Sequence, residues 1–378
     1  MHMRLRRLRR LLVPLVTAVL AVLGLGMSPA VASAETTTLS KPHPATSAAD
    51  YAQAAATALQ RFYDPSTGLW TGTGWWNGAN DLTALLDLDR LSGSRAYTAT
   101  AANTYAKQVN TGDGQFRNEY LDDTGWWGLA WIQAYDLTGD QRYLATARAD
   151  ADWMWSYWDG TCGGGIYWST AKTYKNAIPN ELFLKLAAQL HQRIPHDTTY
   201  LDRANQEWSW FAASGMINSG HLVNDGLDSS TCQNNGGQTW TYNQGVILGG
   251  LLELDRASGG TRPELLTEAR QIATAATTSP LLTPGGVLTE PCEANGGDCG
   301  ADGPSFKGIF VRNLGELNSA LSDRPYSPFL ARQEATLVAD DRNAQDDYGV
   351  HWAGPFDKAD PARQHSALDA LTAAAWNA

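Results

Sequence analysis

Three stretches far apart in the chain end alike: Leu88-Asp89-Arg90-Leu91-Ser92-Gly93, Tyr135-Asp136-Leu137-Thr138-Gly139 and Leu254-Asp255-Arg256-Ala257-Ser258-Gly259. In each, an apolar helical run stops at a glycine, which takes the left-handed conformation of a helix C-cap at no steric cost. A second helical run begins within a few residues, and connections this short join antiparallel helices. The chain is therefore built from recurring helix hairpins that must bury their apolar faces against one another.

The two members of a hairpin differ. Gly128–Leu137 and Gly245–Leu254 are apolar nearly all round and predict helices buried on every side. Gln141–Trp158 alternates apolar and charged faces and predicts an outer helix. The same reading places helices over Ala48–Phe62, Ala79–Leu91, Arg95–Val109, Asp122–Leu137, Asn176–Gln192, Thr199–Ala213, Thr241–Ala257, Pro263–Thr277, Ser305–Leu321, Pro328–Arg342 and Pro361–Trp376, about twelve in all. Six outer–inner pairs make an all-α fold, an (α/α)6 barrel in which six helix hairpins form a toroid. An open solenoid of the same repeats is the structural alternative; the lack of a polar capping repeat at either end favours closure.

The N-terminus reads as an address. Met1–Arg10 carries five Arg and no acid, Leu11–Met27 is apolar, and Ala32-Ser33-Ala34 has the small-x-small form of a signal-peptidase site. Residues 1–34 are thus expected to be a signal peptide, 35–46 a disordered Thr- and Pro-rich leader, and 47–378 the (α/α)6 domain. A membrane anchor is disfavoured by the Ala-x-Ala site and the polar stretch after it, and the Arg-Arg doublets also suit a twin-arginine signal. The Ala-rich, Arg-over-Lys composition of the leader points to a GC-rich bacterium. Loss of five Arg takes the net charge from −11 to −16. An acidic secreted chain excludes nucleic acid and anionic membranes as partners and leaves neutral glycans. A monomer is expected.

The four cysteines are an even count in an oxidising compartment. Cys292 and Cys299 close a short Gly-rich loop, which leaves Cys162 to pair with Cys232 across the fold, one of the three connectivities possible. The absence of a CxxC and of a nearby His pair argues against zinc, and no metal site is expected.

In a toroid the starts of all inner helices lie on one face. The segments at those starts hold Trp75-Trp76-Asn77, Trp126-Trp127, Tyr167-Trp168, Trp240-Thr241-Tyr242-Asn243 and His351-Trp352, so aromatics and amides from distant sequence should line one groove. Asp122 and Asp123 stand at one such start. Cleavage of a glycosidic bond needs two carboxyl groups flanking it, and sugar rings stack on aromatic faces. Acids in a first helical turn also serve simply to cap the helix and oppose its dipole. Two further pairs, Asp340-Asp341 and Asp346-Asp347, have polar neighbours and read as solvated surface. Trp75, Trp76, Trp126, Trp127 and Trp168 are candidate sugar platforms, each with core packing as its alternative. Asn180 and Asn243 could bind hydroxyls or cap their helices. Lys307 and Arg312 interrupt an apolar helix; a buried cation needs a partner, so they face the groove or pair with Glu316 and its neighbours.

The segment Tyr120-Leu121-Asp122-Asp123-Thr124-Gly125-Trp126-Trp127-Gly128-Leu129-Ala130-Trp131 resembles the signature of glycoside hydrolase family 76, the endo-α-1,6-mannanases. Trp75-Trp76-Asn77-Gly78-Ala79-Asn80, Tyr174-Lys175-Asn176-Ala177-Ile178-Pro179-Asn180-Glu181, Trp240-Thr241-Tyr242-Asn243-Gln244-Gly245 and Phe306-Lys307-Gly308-Ile309-Phe310 extend the resemblance over roughly residues 50–376. It implies an (α/α)6 barrel and a secreted, endo-acting hydrolase that cleaves α-1,6-mannan with retention and no cofactor. It also implies Asp122 as nucleophile and Asp123 as acid/base, with Asn80 among the groove residues. Retention does not follow from the Asp-Asp spacing itself. A transglycosylase of the same fold, as in fungal members acting on wall anchors, and a non-catalytic mannan-binding protein are the alternatives. An epimerase or unsaturated-uronyl hydrolase would leave the Asp-Asp-Trp-Trp context unexplained, and fold alone does not choose a function.

Overall fold

The computed structural model describes residues 47–297 and 299–378. The expected signal peptide and leader, residues 1–46, lie outside the described residues. Among these the chain forms twelve α-helices: α1 (Ala48–Gln60), α2 (Trp75–Ser92), α3 (Thr98–Gln108), α4 (Leu121–Thr138), α5 (Gln141–Trp155), α6 (Ala177–Arg193), α7 (Thr199–Ala213), α8 (Thr241–Ala257), α9 (Pro263–Thr278), α10 (Phe306–Ala320), α11 (Ser327–Thr336) and α12 (Pro361–Trp376). A two-stranded antiparallel ribbon, β1 (Tyr63–Asp64) with β2 (Leu69–Trp70), lies between α1 and α2.

The even-numbered helices close on themselves. α2 packs on α4, α4 on α6, α6 on α8, α8 on α10, α10 on α12, and α12 returns to α2. The odd-numbered helices lie outside this ring, with α5 on α4 and α6, α7 on α6, α9 on α8, and α1 and α11 on α12. This is the (α/α)6 toroid, and closure rules out the open solenoid.

Burial follows the two helix types. Every residue from Ala177 to Leu190 in α6 and from Thr241 to Asp255 in α8 is buried, whereas α7 buries only Tyr200, Ala204, Glu207, Trp210 and Phe211. An inner helix has neighbours on both flanks, an outer helix behind it and the barrel axis in front, so no face is left for solvent.

The recurring glycines end helices as the sequence predicts. Gly93 (φ 68°) and Gly139 (φ 73°) cap α2 and α4, and their N–H groups bond to Asp89 O and Tyr135 O. In the third copy Ser258 is the cap and Gly259 (φ 72°) follows it. Two other glycines set helix spacing. A Cβ on Gly245 would lie 2.4 Å from Phe310 Cα, and one on Gly308 would lie 2.3 Å from Ser366 Cα. The backbones of α8, α10 and α12 thus touch where a side chain would hold them apart.

Several boundaries move. α2 starts at Trp75 rather than Ala79, because the Asn77 carboxamide accepts the Gly74 N–H (3.0 Å) and begins the helix early. α3 starts at Thr98 rather than Arg95, since the Asp89 carboxylate holds the N–H groups of Ala96 (2.9 Å) and Tyr97 (2.8 Å). α5 stops at Trp155, and α11 gives way at Leu337 to a π-helical turn through Asp341. The acid pairs there are solvated only in part: Asp340 is exposed, as expected, but its partners are not. Asp341 is buried and accepts the Gly349 N–H (3.0 Å); Asp347 is buried between Arg61 and Asn343; Asp346 pairs with Arg342. Asp341, Asp346 and Asp347 shape the turn from Arg342 to Tyr348. Both disulfides pair as expected, Cys162–Cys232 and Cys292–Cys299. Among the described residues no helix is long and apolar enough to cross a membrane.

Candidate active site

Asp122 and Asp123 occupy the first turn of α4, at the end of the barrel where all inner helices begin. The chain on either side is tied to the loop before α6: Leu121 N–H bonds to Trp168 O (2.8 Å) and Thr170 N–H to Glu119 O (2.9 Å). That pairing brings Trp168 over the acids. Its indole Nε1–H donates to Asp122 Oδ2 at 3.1 Å, while Asp122 Oδ1 is buried without a hydrogen-bond partner. Asp123 Oδ2 accepts from Asn118 Nδ2 at 2.6 Å, and Asn118 is itself fixed by the Tyr120 N–H (2.8 Å).

Burial dominates the electrostatics of the pair. It pushes the Asp122 carboxyl well above the usual carboxylate range, and the adjacent Asp123 charge adds to the shift. Asp123 is pushed up to about 7, again by burial first, with the charges of Asp302 and Glu119 adding while the Asn118 hydrogen bond opposes. Two adjacent carboxyls raised in this way titrate as a coupled pair rather than one by one. One protonated acid beside one carboxylate is the state that both inverting and retaining glycosidases need.

A layer of aromatic rings lies beside them, and Trp126, Tyr242 and Phe306 within it are buried. Trp76 stacks on Trp126 (centroids 5.7 Å), Trp126 on Tyr242 (6.4 Å) and Tyr242 on Phe306 (4.0 Å), with Trp240 edge-on to Phe306 (5.6 Å). These rings come from the first turns of α2, α8 and α10, the turn before α8, and the second turn of α4. Tyr242 is near enough to the pair to feel the Asp122 charge, which adds to burial in raising its phenol pKa. Trp76 Nε1 donates to Asp302 Oδ1 at 2.8 Å. Trp168 stands 38% exposed, an open ring face directly above Asp122.

Other expected groove residues lie elsewhere. Trp127 is fully buried among Phe116 (5.0 Å), Trp75 (5.5 Å) and Trp131 (5.7 Å), so it is core. Trp75 leans on Trp127 and donates to Gln108 Oε1 on α3 (3.3 Å), away from the acids. Asn180 is buried and brackets Ile166, accepting its N–H (2.6 Å) and donating to its carbonyl (2.9 Å). It thereby holds the loop that presents Trp168. Lys307 is fully buried, ion-paired with Glu293, donating to Val350 O and lying 4.9 Å from the Trp352 ring. Asn80 Oδ1 accepts from Arg312 Nη2 (2.7 Å), and Arg312 also pairs with Asp369 (3.1 Å), so both belong to the polar interior of the barrel. Asn243 is buried with neither amide atom partnered. Trp240 was among the aromatics expected to line the groove, whereas Phe306, Asn118 and Asp302 were not singled out as groove residues. Phe306 and Trp240 carried a signal, because each sits at an inner-helix start like Trp76. Asn118 and Asp302 carried none, since loops place them. Among the described residues no three His, Cys, Asp or Glu side chains are grouped to hold a metal ion.

A closed ring of helix hairpins with a half-buried carboxyl pair and a layer of aromatic rings at one mouth defines a carbohydrate-active (α/α)6 protein. The family model for glycosyl hydrolase family 76 matches residues 47–378, and the chain belongs to that family. It is 30% identical over 261 residues to mannan endo-1,6-alpha-mannosidase DFG5 of Saccharomyces cerevisiae, a match covering 64% of this chain and 56% of the yeast protein. The chain thus spans little more than half the length of that relative. An inactive variant of an α-1,6-mannanase of Salegentibacter sp. HEL1_6, with two consecutive aspartates replaced by alanine and α-1,6-mannotetrose bound, superposes with a TM-score of 0.78 at 25% identity. That match covers 88% of this chain and all of the other. Dfg5 from Chaetomium thermophilum, solved with glucosamine, shares the fold (TM-score 0.77, 22% identity, covering 87% of this chain and 90% of that one).

Proposed function

We propose that this protein is an exported, endo-acting glycoside hydrolase that cleaves α-1,6-mannosidic bonds in mannan by a retaining double displacement. The observation that carries the reading is the Asp122-Asp123 pair beneath Trp168: two half-buried carboxyls, both raised in pKa, beside an exposed aromatic face. Family membership and the mannan-acting relatives narrow the sugar, and the two disulfides suit an oxidising compartment.

In the first step Asp122 attacks the anomeric carbon as Asp123 gives its proton to the departing glycosidic oxygen, leaving a glycosyl ester on Asp122 and a carboxylate at Asp123. In the second, Asp123 takes a proton from water as the water oxygen attacks the same carbon and releases Asp122. Trp168 fits this division of labour, since its N–H orients one Asp122 oxygen and leaves the other free of partners. Asn118 holds Asp123 by a single oxygen, so the other can exchange a proton.

The test is hydrolysis of linear α-1,6-mannan by Asp122→Asn and Asp123→Asn variants, with the anomer of the first product read by NMR. Both variants should lose at least ~10³-fold in rate and the wild type should release the α-anomer. Full activity in either variant, or initial release of the β-anomer, would sink the mechanism. Adding an acceptor oligosaccharide distinguishes hydrolysis from transfer by the length of the products.

A further inference from the structure

Two residues before α6 stands a buried cation that the mechanism above does not use. The Lys175 side chain is 2% exposed. Its Nζ donates to Asp159 Oδ1 (2.9 Å) and to three carbonyls: Asp159 O (3.1 Å), Thr161 O (2.8 Å) and Gly164 O (2.7 Å). It also lies 4.5 Å from the Tyr167 ring, whose hydroxyl donates to the same Asp159 oxygen (3.3 Å). Burying an ammonium is costly, and a single carboxylate that is itself 37% exposed is weak compensation. The carbonyls supply the rest, and all of them belong to one loop.

That loop has little to hold itself. Between Asp159 and Trp168 it contains one short 3-10 turn, Thr161–Gly163, and the run Gly163 (φ 81°), Gly164 (φ 155°) and Gly165 (φ 88°). The glycines are required, because a Cβ on Gly165 would lie 2.2 Å from the Trp210 ring and one on Gly164 2.7 Å from both Trp158 and Trp210. Glycine backbone loses the most entropy on ordering, so such a run stays in place only where other groups fix it. Trp210 covers it on one side and donates to Cys162 O (3.0 Å), and the Cys162–Cys232 disulfide fixes one point. Lys175 gathers its start and its glycines onto one nitrogen. An ammonium suits this, since its three protons can be aimed at separate carbonyls. Tyr174, the residue before it, accepts the Trp168 N–H (2.8 Å). One dipeptide therefore grips the loop at both ends, by main chain at Trp168 and by side chain at Asp159–Gly164.

We infer that Lys175 is a positioning residue for the acid pair: it holds the 159–168 loop so that Trp168 keeps its ring over Asp122 and its N–H on the Asp122 carboxylate. The inference rests on the retaining mechanism proposed above, in which Trp168 is the sugar platform and Asp122 the nucleophile. Lys175 acts through Trp168, and its loss should therefore matter only while Trp168 is present.

The test is a double-mutant cycle in the full chain. Lys175→Met keeps the length of the side chain and removes its donors, and kcat/KM on α-1,6-mannotetraose should fall about 10- to 100-fold, as for a reacting group displaced by ~1 Å. On a Trp168→Ala background the same substitution should cost less than about twofold, the scatter of independent effects. The acidic limb of kcat/KM in Lys175→Met should move to higher pH, because the N–H that favours ionised Asp122 is withdrawn. Full kcat/KM in Lys175→Met, or losses that multiply in the double variant, would overturn the inference. Should Lys175→Met fail to fold, Asp159→Ala carries the same cycle from the loop side, with an expected loss of about three- to tenfold for the hydrogen bond removed. Hydrogen exchange separates the inference from the proposed activity. The amides of Gly163, Gly164 and Ile166 should exchange about tenfold faster or more in either variant, since opening the loop no longer breaks the same bonds to Lys175. Unchanged exchange would also overturn it. Faster exchange in variants of a wild type that fails to cleave mannotetraose would instead keep Lys175 as the anchor of the Trp168 loop and remove the proposed function.

Discussion

Two tryptophans that look alike in the sequence should respond oppositely to replacement. Trp127 is fully buried against Phe116, Trp131 and Trp75. Truncation to alanine leaves a cavity in a core that cannot fully collapse, at about 3–5 kcal/mol. Unfolding entropy of ~2.1 cal/mol/K per residue, taken over the roughly 330 residues of the domain, comes to ~0.7 kcal/mol/K. Trp127→Ala should therefore lower Tm by about 4–7 °C. The folded fraction should keep its kcat/KM. Trp168 is 38% exposed, touches Tyr120 (4.9 Å) and donates to Asp122. Trp168→Ala costs about 1 kcal/mol of stability, a change of ~1–2 °C, but removes both the exposed ring and the hydrogen bond to Asp122, the sugar platform and the nucleophile of the proposed mechanism. A loss of roughly 2–3 kcal/mol from the transition state is a fall in kcat/KM of about 30- to 150-fold. Scanning calorimetry and initial rates on α-1,6-mannotetraose read the two effects separately. A Trp127→Ala protein with unchanged Tm and impaired kcat/KM would refute the division between core and groove.

The pH profile gives two signed tests. Trp168→Phe keeps a ring but removes the N–H that favours ionised Asp122, so the Asp122 pKa rises further and the acidic limb of kcat/KM moves to higher pH. An unmoved limb would mean that this bond does not act on the nucleophile. The coupled pair must keep one proton for the acid step, so activity should fall as pH rises and the pair loses it. Asp302→Asn keeps an acceptor for Trp76 but removes a charge that raises Asp123, and the alkaline limb should move to lower pH; movement upward would contradict the assignment. Gly308→Ala gains ~1 kcal/mol in helix propensity, yet its Cβ would lie 2.3 Å from Ser366 Cα. Overpacking of about 1–3 kcal/mol or more should prevail and lower Tm, and a raised Tm would show that α10 and α12 are not in backbone contact.

Much of this protein is local and so could be read before folding. Hairpins were legible because a helix ending in a left-handed glycine is a short-range event, and inner and outer helices because burial on one face or all faces leaves its period in the sequence. The acid pair was legible for the same reason: a helix start is local, and the toroid puts every inner start on one face. Both disulfides followed from loop size and elimination. What could not be read was the direction in which each side chain points once the ring closes. Trp126 and Trp127 are neighbours and both buried, yet about 100° of helical rotation stacks one on Trp76 and Tyr242 and packs the other on Phe116 and Trp131. Lys307 looked like a groove cation until Glu293, from a loop before its own helix, neutralised it inside the fold. Asn180 looked like a sugar ligand until its amide closed on the backbone of Ile166. Asp341 and Asp347 looked solvated until the turn after α11 folded over them. A cavity among the last turns of the inner helices is the extreme case, because its wall takes one turn from each of six helices spread over nearly 300 residues. The amino-acid order determined the helices and their pairing; only closure of the ring decided which residues meet along its axis and at its two mouths, because that depends on the rotation of each helix against neighbours distant in the chain.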